Sequence, residues 1–192
     1  MAAPTPVLFV PECHADTAVT LTLLRENPDS RKRLLDYVSH QQGIGNVGNN
    51  LRRQPVASGS ARRVVGIVDL DKKSEHPHLR EFTRVRGGGV ARNQYSHALL
   101  QHQEHSSQYL IALNPACDKW IWDRVTELGK TPADFGLPND FKEFKAYCKT
   151  QAAERDPSLR NLLAAVATAY HPAYRALAEF VADIMDLDHP LP

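Results

Sequence analysis

Acidic residues follow two apolar segments of this sequence at positions where they could hold a divalent cation. Glu12 comes soon after the run 7–10, and Asp69 and Asp71 come directly after the run 63–68. Carboxylate oxygens are the ligands that Mg²⁺ and Mn²⁺ prefer. Such ions activate water and stabilise a leaving oxygen in phosphodiester cleavage. The residue types therefore favour metal-assisted phosphoryl chemistry, with Glu12, Asp69 and Asp71 as the predicted catalytic residues.

The spacing within each acidic group predicts which side chains face the same way. Asp16 lies one helical turn beyond Glu12, so both face one side if a helix starts early. Asp69 and Asp71 are two residues apart, and they share one face if the chain stays extended. Converging carboxylates repel one another unless a cation neutralises them. The predicted metal ligands are Glu12, Asp16, Asp69 and Asp71, and the predicted ion is Mg²⁺ or Mn²⁺.

Three short apolar runs, 7–10, 63–68 and 109–113, predict the buried strands that would position these acids. Strands of a parallel sheet direct their carboxyl ends to one edge, where ligands bind. Helices are predicted at 16–26, 29–41, 117–128 and 140–154, and two more are predicted to start at Asp156-Pro157 and His171-Pro172. The stretch 75–107 has a weak pattern, with a hinge at Gly87–Gly89.

This order of elements predicts an α/β fold with a mainly parallel central sheet in a three-layer sandwich. Residues 1–130 would form the α/β domain, and residues 131–192 a C-terminal helical extension packed on it. The length of 192 residues suits one such domain.

Composition excludes several classes of protein. The formal net charge is +1, so any nucleic-acid-binding surface would have to be local. The three cysteines contain no C-x-x-C pair, which argues against a disulfide framework and a zinc knuckle. No signal peptide or membrane segment is predicted. We therefore expect a cytoplasmic protein without a membrane partner.

Residues 43–50 contain three glycines and three asparagines and predict a loop. In that loop, Gly43, Gly45 and Asn46 would line the site, through backbone N–H groups that contact phosphate or hold the strand-end acids. The alternative is a plain helix C-cap and connection, which the same residues favour.

Other polar residues are candidates by position. Asp118 is either a further ligand or, as we favour, an acid that stabilises a helix N-terminus. Lys72 and Lys119 are the candidate basic partners of the site. A basic rim for a phosphodiester substrate is predicted from Arg52, Arg53, Arg62, Arg63, Lys72, Lys73, Arg80, Arg84, Arg86 and Arg92. The nine histidines show no zinc-binding spacing on a convincing helix.

Three segments in this order resemble a TOPRIM domain: Glu12-x-x-x-Asp16, the Gly43–Val47 segment, and the strand that ends in Asp69-Leu70-Asp71. Within that superfamily the sequence is most similar to the OLD-like (overcoming lysogenization defect) nucleases. The resemblance implies that Glu12 acts as acid–base or metal ligand, that Asp69 and Asp71 are the metal-binding D-x-D, and that Asp16 is an additional acid associated with two-metal cleavage. It covers residues 7–128.

The sequence departs from the family pattern after Glu12. Cys13 replaces the usual glycine, which narrows the approach of a phosphate backbone. The resemblance implies a Mg²⁺- or Mn²⁺-dependent endonuclease or related phosphotransferase that acts on nucleic acid, with DNA favoured. An ATPase or other protein partner is expected as well, because this sequence contains no P-loop.

Two alternatives stay open at this stage. One is a non-catalytic TOPRIM-fold binding module in a larger nucleic-acid-processing or defence complex. The other is a phospho-accepting receiver domain, which requires paired acids after the first strand, whereas the pair here follows the second. The nuclease reading requires Glu12 to meet Asp69 and Asp71 in space. A basic side chain held permanently between them would count against it.

Overall fold

The computed structural model describes residues 7–24, 38–54, 62–85 and 97–186, and these form one five-stranded sheet. The strands are β1 (Val7–Pro11), β2 (Arg63–Asp69), β3 (Phe82–Val85), β4 (His97–His102) and β5 (Gln108–Leu113). Their spatial order is β1-β2-β5-β4-β3. The first three strands in that order are mutually parallel, and β4 is antiparallel to both its neighbours.

Helices occupy much of the rest of the described chain. They are α1 (His14–Leu23), α2 (Ile44–Arg53), α3 (Pro77–Arg80), α4 (Cys117–Glu127), α5 (Phe141–Cys148), α6 (Gln151–Arg155), α7 (Pro157–Thr168) and α8 (Pro172–Met185). The protein is thus a mixed α/β fold with an open sheet. None of the helices within the described residues is long and apolar enough to span a bilayer.

Both faces of the sheet are buried under helices. Successive side chains of a strand alternate between these two faces. Phe9 and Ile111 belong to a core shared with α1, α4 and the C-terminal helices. Val10 and Leu110 belong to a second core, which α2 and α3 cover. This double covering explains why β1, β2 and β5 read as continuous apolar runs. The predicted strands 7–10, 63–68 and 109–113 are confirmed.

The weakly patterned stretch 75–107 contains two strands that the sequence analysis missed. β3 and β4 form the antiparallel side of the sheet, and β4 begins and ends in histidine. His102 is buried nonetheless, with no exposed side-chain surface. The polar composition of β4 therefore concealed a strand that is largely buried. The hinge predicted at Gly87–Gly89 lies outside the described residues.

The loop predicted at residues 43–50 is wrong, because these residues form most of α2. Val47 and Leu51 lie one turn apart on its buried face, and both contact the sheet at Gly66. A Cβ atom at Gly66 would lie 2.9 Å from Leu51 Cδ1, so the glycine allows helix and strand to approach closely. Gly43 does adopt the expected positive φ, 113°, as the N-cap residue.

The helix predicted at 29–41 lies mostly outside the described residues. The prediction is wrong for residues 38–41, which are not helical. Val38 instead forms a parallel bridge with Phe9. The helix predicted at 140–154 is interrupted, and its two parts are α5 and α6. The helix predicted at 117–128 is confirmed as α4, and Gly129 follows it with φ 70°.

The C-terminal helices start where the sequence predicted. Asp156 accepts a hydrogen bond from Ser158 N at 2.7 Å and caps α7, and His171 precedes α8. Proline occupies the first position of each helix, where no N–H is required. Helices α6, α7 and α8 all pack against α1, which directly follows the strand carrying Glu12.

Candidate metal centre

Glu12 and Asp69 leave the sheet at the same edge because β1 and β2 are neighbouring parallel strands. The register pairs Pro11 with Ile67, and Glu12 N continues the ladder by donating to Ile67 O at 2.9 Å. Asp69 N in turn donates to Glu12 Oε2 at 3.2 Å. The two acids, 57 residues apart in the chain, are therefore in direct contact.

Asp16 joins them because α1 begins immediately after the turn that follows β1. Asp16 Oδ2 accepts from Cys13 N at 3.0 Å, and Cys13 Sγ accepts from Asp16 N at 3.5 Å. This reciprocal capping box fixes the start of the helix. It also turns Asp16 inward, where its side chain is fully buried. The expectation that Glu12 and Asp16 share one side is confirmed.

Three carboxylates therefore converge at this edge of the sheet. Glu12, Asp16 and Asp69 each place an oxygen within 4.8 Å of the others. Asp69 Oδ1 also accepts from Cys117 N at 2.9 Å, so the first turn of α4 fixes that side chain. Asp16 Oδ1 is buried and has no hydrogen-bond partner within the described part of the chain. We call Glu12, Asp16 and Asp69 the acidic centre.

Burial makes ionisation of Glu12 and Asp16 unfavourable. Burial raises the pKa of the Glu12 carboxyl, and the charge of Asp69 adds to the effect. Burial also raises the pKa of Asp16 well above its ordinary value, with further contributions from Cys13 and Asp69. The raised pKa values mean that burial favours the neutral forms of Glu12 and Asp16 in this arrangement of side chains.

A lysine side chain places a positive charge beside two of these acids. Lys72 Nζ lies 2.7 Å from Asp69 Oδ2 and 3.2 Å from Glu12 Oε1. Burial lowers the pKa of Lys72, but the hydrogen bonds and charges of Asp69 and Glu12 outweigh it and raise the pKa above its usual range. This is the basic side chain between the acids that counts against a metal site. However, its side chain is 40% exposed, and Asp16 gains no bond from it.

Asp71 does not join the acidic centre, which corrects the prediction of a four-acid ligand set. β2 ends at Asp69 and the chain turns at Leu70, so the two-residue alternation of an extended strand no longer applies. Asp71 is exposed, and its backbone N–H donates to Pro115 O at 3.2 Å. The D-x-D pair is thus divided, with one buried acid and one solvent-exposed acid.

The segment at the start of α2 supports the acidic centre through its backbone. Gly43 N donates to Glu12 O at 3.0 Å and so holds the peptide that carries the catalytic candidate. Gly45 and Asn46 are exposed, which does not support their predicted lining role. Asn46 Nδ2 donates to Gln41 O at 2.8 Å, a local bond that closes the turn before the helix.

Asp118 and Lys119 lie in the first turn of α4. Asp118 Oδ1 accepts from Lys119 N at 2.7 Å, in keeping with the favoured helix-stabilising role. Burial raises the pKa of Asp118, although Lys145 acts in the opposite direction. Lys119 Nζ pairs with Asp123 one turn further along, so this lysine is directed along its own helix. Lys72 is the predicted basic partner that reaches the acidic centre.

The predicted basic rim is not gathered at this edge, because Arg62 and Arg63 lie at the start of β2, at the opposite end of the strand from Asp69. Arg52, Arg53, Arg62, Arg80 and Arg84 are exposed. Arg63 instead pairs with Asp186 at 2.8 Å, at the end of α8. Arg86 and Arg92 lie outside the described residues. Arg52 and Arg53 end the 10-residue helix α2, about 15 Å along the helix axis from Gly43. They are therefore far from the end of α2 that contacts Glu12.

Two clusters that combine histidine with glutamate were missed by the sequence analysis. His14, His40 and Glu154 place one ligand atom each within 4.8 Å of one another, and so do His78, Glu81 and His102. His14, His40 and Glu154 are far apart in the chain, and in the second set only His78 and Glu81 are close in sequence, so no local spacing indicated either complete set.

Comparison of the chain with protein-family models, with curated proteins and with solved structures gives no match.

Proposed function

We propose that this protein is a metal-dependent nuclease that hydrolyses phosphodiester bonds in nucleic acid, with DNA as the favoured substrate. The observation that carries the proposal is the convergence of Glu12, Asp16 and Asp69 within 4.8 Å, with one buried oxygen of Asp16 that has no hydrogen-bond partner among the described residues. A set of hard oxygen donors without sulfur or nitrogen suits Mg²⁺ or Mn²⁺.

Each residue has a distinct part in the proposed reaction. Asp69, fixed by Cys117 N, and Asp16, fixed by the capping box, hold the cation. Glu12, which contacts Asp69 and also has a raised pKa, serves as ligand or as proton acceptor for the attacking water. The bound ion supplies Lewis-acid activation of water and charge neutralisation at the phosphate.

Lys72 changes partner in this scheme. Its ammonium is bonded to Glu12 and Asp69 without metal, and these bonds compete directly with a cation. Glu12 and Asp69 would hold the cation, and the half-exposed Lys72 ammonium would then be available to contact the substrate phosphate.

The proposed assignment to a TOPRIM-like, OLD-like nuclease rests on the order of the three motifs and on the adjacent parallel strands that carry two of them. An ATPase partner is part of the same proposal. It also includes a three-layer sandwich for residues 1–130, with residues 131–192 as the extension.

A non-catalytic binding module is the second candidate, and a specific observation favours it. Lys72 already satisfies both Glu12 and Asp69, as an internal cation would in a site that has lost its metal. In that case the protein binds nucleic acid or a partner without turnover.

Cleavage assays separate the two candidates. Supercoiled plasmid and single-stranded DNA are incubated with protein in Mg²⁺, Mn²⁺ or EDTA. The nuclease proposal predicts metal-dependent cleavage. The cleavage rate should fall at least about 100-fold in Glu12→Gln and Asp69→Asn, which corresponds to an activation free energy higher by about 2.7 kcal/mol or more. Glu127→Gln, on the far end of α4, serves as control. Absence of cleavage by folded, metal-binding protein supports the module.

A further inference from the structure

A second set of metal-binding side chains lies where the helical extension meets the start of α1. His14 is the first residue of α1, His40 lies between β1 and α2, and Glu154 belongs to α6. None of the three belongs to the acidic centre. All are partly buried, with 18% of the His14 side chain and 21% of the Glu154 side chain exposed.

The separations suit one shared ion. His14 Nδ1 lies 3.0 Å from Glu154 Oε2, and the three ligand atoms all lie within 4.8 Å of one another. Two ligands of a tetrahedral Zn²⁺ ion stand about 3.3 Å apart, given metal–ligand bonds of about 2.0 Å. To bind one ion, the three ligand atoms would have to move closer together. One imidazole would also have to rotate, because the rings of His14 and His40 are stacked with their centroids 4.2 Å apart.

The hydrogen bonds around His40 leave the correct nitrogen available. The Thr17 hydroxyl donates to Cys13 O at 3.0 Å, so its proton is already used. His40 Nδ1, 3.0 Å from Thr17 Oγ1, must therefore carry the proton and donate to that oxygen. The lone pair is then on Nε2, which forms no hydrogen bond within the described residues. An outer partner that fixes the tautomer in this way is typical of metal-binding histidines.

The other histidine–glutamate cluster lacks this property. His102 Nδ1 accepts from both Glu104 N and His105 N at 3.1 Å, so the proton of the neutral ring sits on Nε2. That nitrogen faces Glu81 Oε2 at 2.9 Å, as His14 Nδ1 faces Glu154 Oε2 at 3.0 Å, but the two bonds to His102 Nδ1 keep the proton on Nε2 and leave it no lone pair. The cluster of His78, Glu81 and His102 is thus an internally paired group, and it provides a matched control.

We propose that His14, His40 and Glu154 form a second metal site, selective for Zn²⁺ over Mg²⁺, with Thr17 as the positioning residue. Two imidazoles and one carboxylate are borderline ligands that suit zinc, and they leave a fourth position for water. The ion would tie α6 to the turn that carries Glu12. The site does not depend on the proposed nuclease activity.

Zinc titration of metal-free protein by calorimetry tests the proposal, with excess Mg²⁺ present to occupy the acidic centre. We expect one equivalent of Zn²⁺ and a higher melting temperature. His40→Gln and Glu154→Gln should weaken zinc binding at least about 10-fold, because each removes one of three ligands. Glu81→Gln and Cys13→Ser should bind zinc as the wild type does.

The positioning role of Thr17 gives a test that does not remove a ligand. Thr17→Val should weaken zinc binding about 10- to 100-fold, and Thr17→Ser, which keeps the hydroxyl, should restore it. Unchanged zinc binding in folded Glu154→Gln, or a loss in Cys13→Ser or Glu81→Gln, would overturn the proposal. Equal affinities for zinc in Thr17→Val and Thr17→Ser would also count against it.

Discussion

Asp69 Oδ2 lies 2.7 Å from the ammonium nitrogen of Lys72, so the acid at the end of β2 is paired with a base three residues further on. The same ammonium reaches Glu12, which arrives from the neighbouring strand. The pair defines the central question for this site: the lysine either substitutes for a cation or excludes one permanently. The two possibilities predict different responses to loss of the ammonium.

Removal of the ammonium should strengthen metal binding. In Lys72→Met the side-chain stem remains, but the competitor for Glu12 and Asp69 is lost. A hydrogen bond to a charged group contributes about 1.5–3 kcal/mol, and partial exposure reduces this. We therefore expect about 10-fold tighter Mn²⁺ binding, measured by calorimetry. Lys119→Met, whose ammonium pairs with Asp123, is the control. Weaker binding in Lys72→Met would show that the lysine assists the ion.

Asp16→Asn should separate stability from metal binding. Because the pKa of Asp16 is raised in the fold, its ionisation opposes folding as pH rises above the ordinary value of a carboxyl. The amide removes that effect. At pH 8 the free energy of unfolding of the metal-free variant, measured with urea, should therefore exceed that of the wild type by about 1 kcal/mol or more. The difference should shrink towards pH 4.

The same variant should bind Mn²⁺ at least about 10-fold more weakly, since a ligand is lost. A variant that is less stable than the wild type at pH 8 would contradict this account of Asp16.

The approach of α2 to the sheet should be sensitive to added volume. At Gly66 a Cβ atom would meet Leu110 Cδ1 and Leu51 Cδ1 at 2.9 Å each, so Gly66→Ala should cost about 1–3 kcal/mol of unfolding free energy. Gly45→Ala is the matched control on α2, with nothing within 4 Å of its added Cβ. It should gain about 0.5–1 kcal/mol. Equal effects in chemical denaturation would show that the close packing at Gly66 is not limiting.

A partly buried histidine, His97, should make stability fall in acid. Burial lowers the pKa of His97 to about 4, with Arg124 contributing, against 6.5 in the unfolded chain. Between these values the unfolded state binds a proton that the folded state does not, so stability decreases as pH falls from about 6.5 to about 4, by up to about 1.4 kcal/mol per unit. In His97→Asn this part of the pH profile should flatten. An unchanged slope in urea denaturation would refute the assignment.

The parts of the fold that the sequence predicted share one property: local residues determine them. β1, β2 and β5 are apolar on both faces, and Asp156-Pro157 carries its own capping signal. β4 was missed because its terminal histidines and its glutamine make a polar pattern, although His102 is fully buried and lies 2.9 Å from Glu81, which is distant in the chain. The Gly- and Asn-rich start of α2 was misread because Val47 and Leu51 stabilise the helix by packing on Gly66.

The acidic centre was also predictable only where local sequence determines the position of a side chain. Glu12, Asp16 and Asp69 were found because strand order and one helical turn determine where they point. Asp71 was misplaced because the end of β2 depends on hydrogen bonds from Leu70 N to Leu113 O, which sequence periodicity does not reveal. The position of the Lys72 ammonium depends on a side-chain conformation, and no pattern in the sequence indicates it.

The most direct test of the acidic centre is a Mn²⁺ titration of wild type, Asp69→Asn and Asp71→Asn, followed by calorimetry or by the paramagnetic signal of bound Mn²⁺. These two aspartates are two residues apart, yet one lies in the acidic centre and the other is exposed. The structure predicts at least about 10-fold weaker binding in Asp69→Asn and a much smaller change in Asp71→Asn. Equal affinities in all three proteins, or a greater loss in Asp71→Asn, would contradict it.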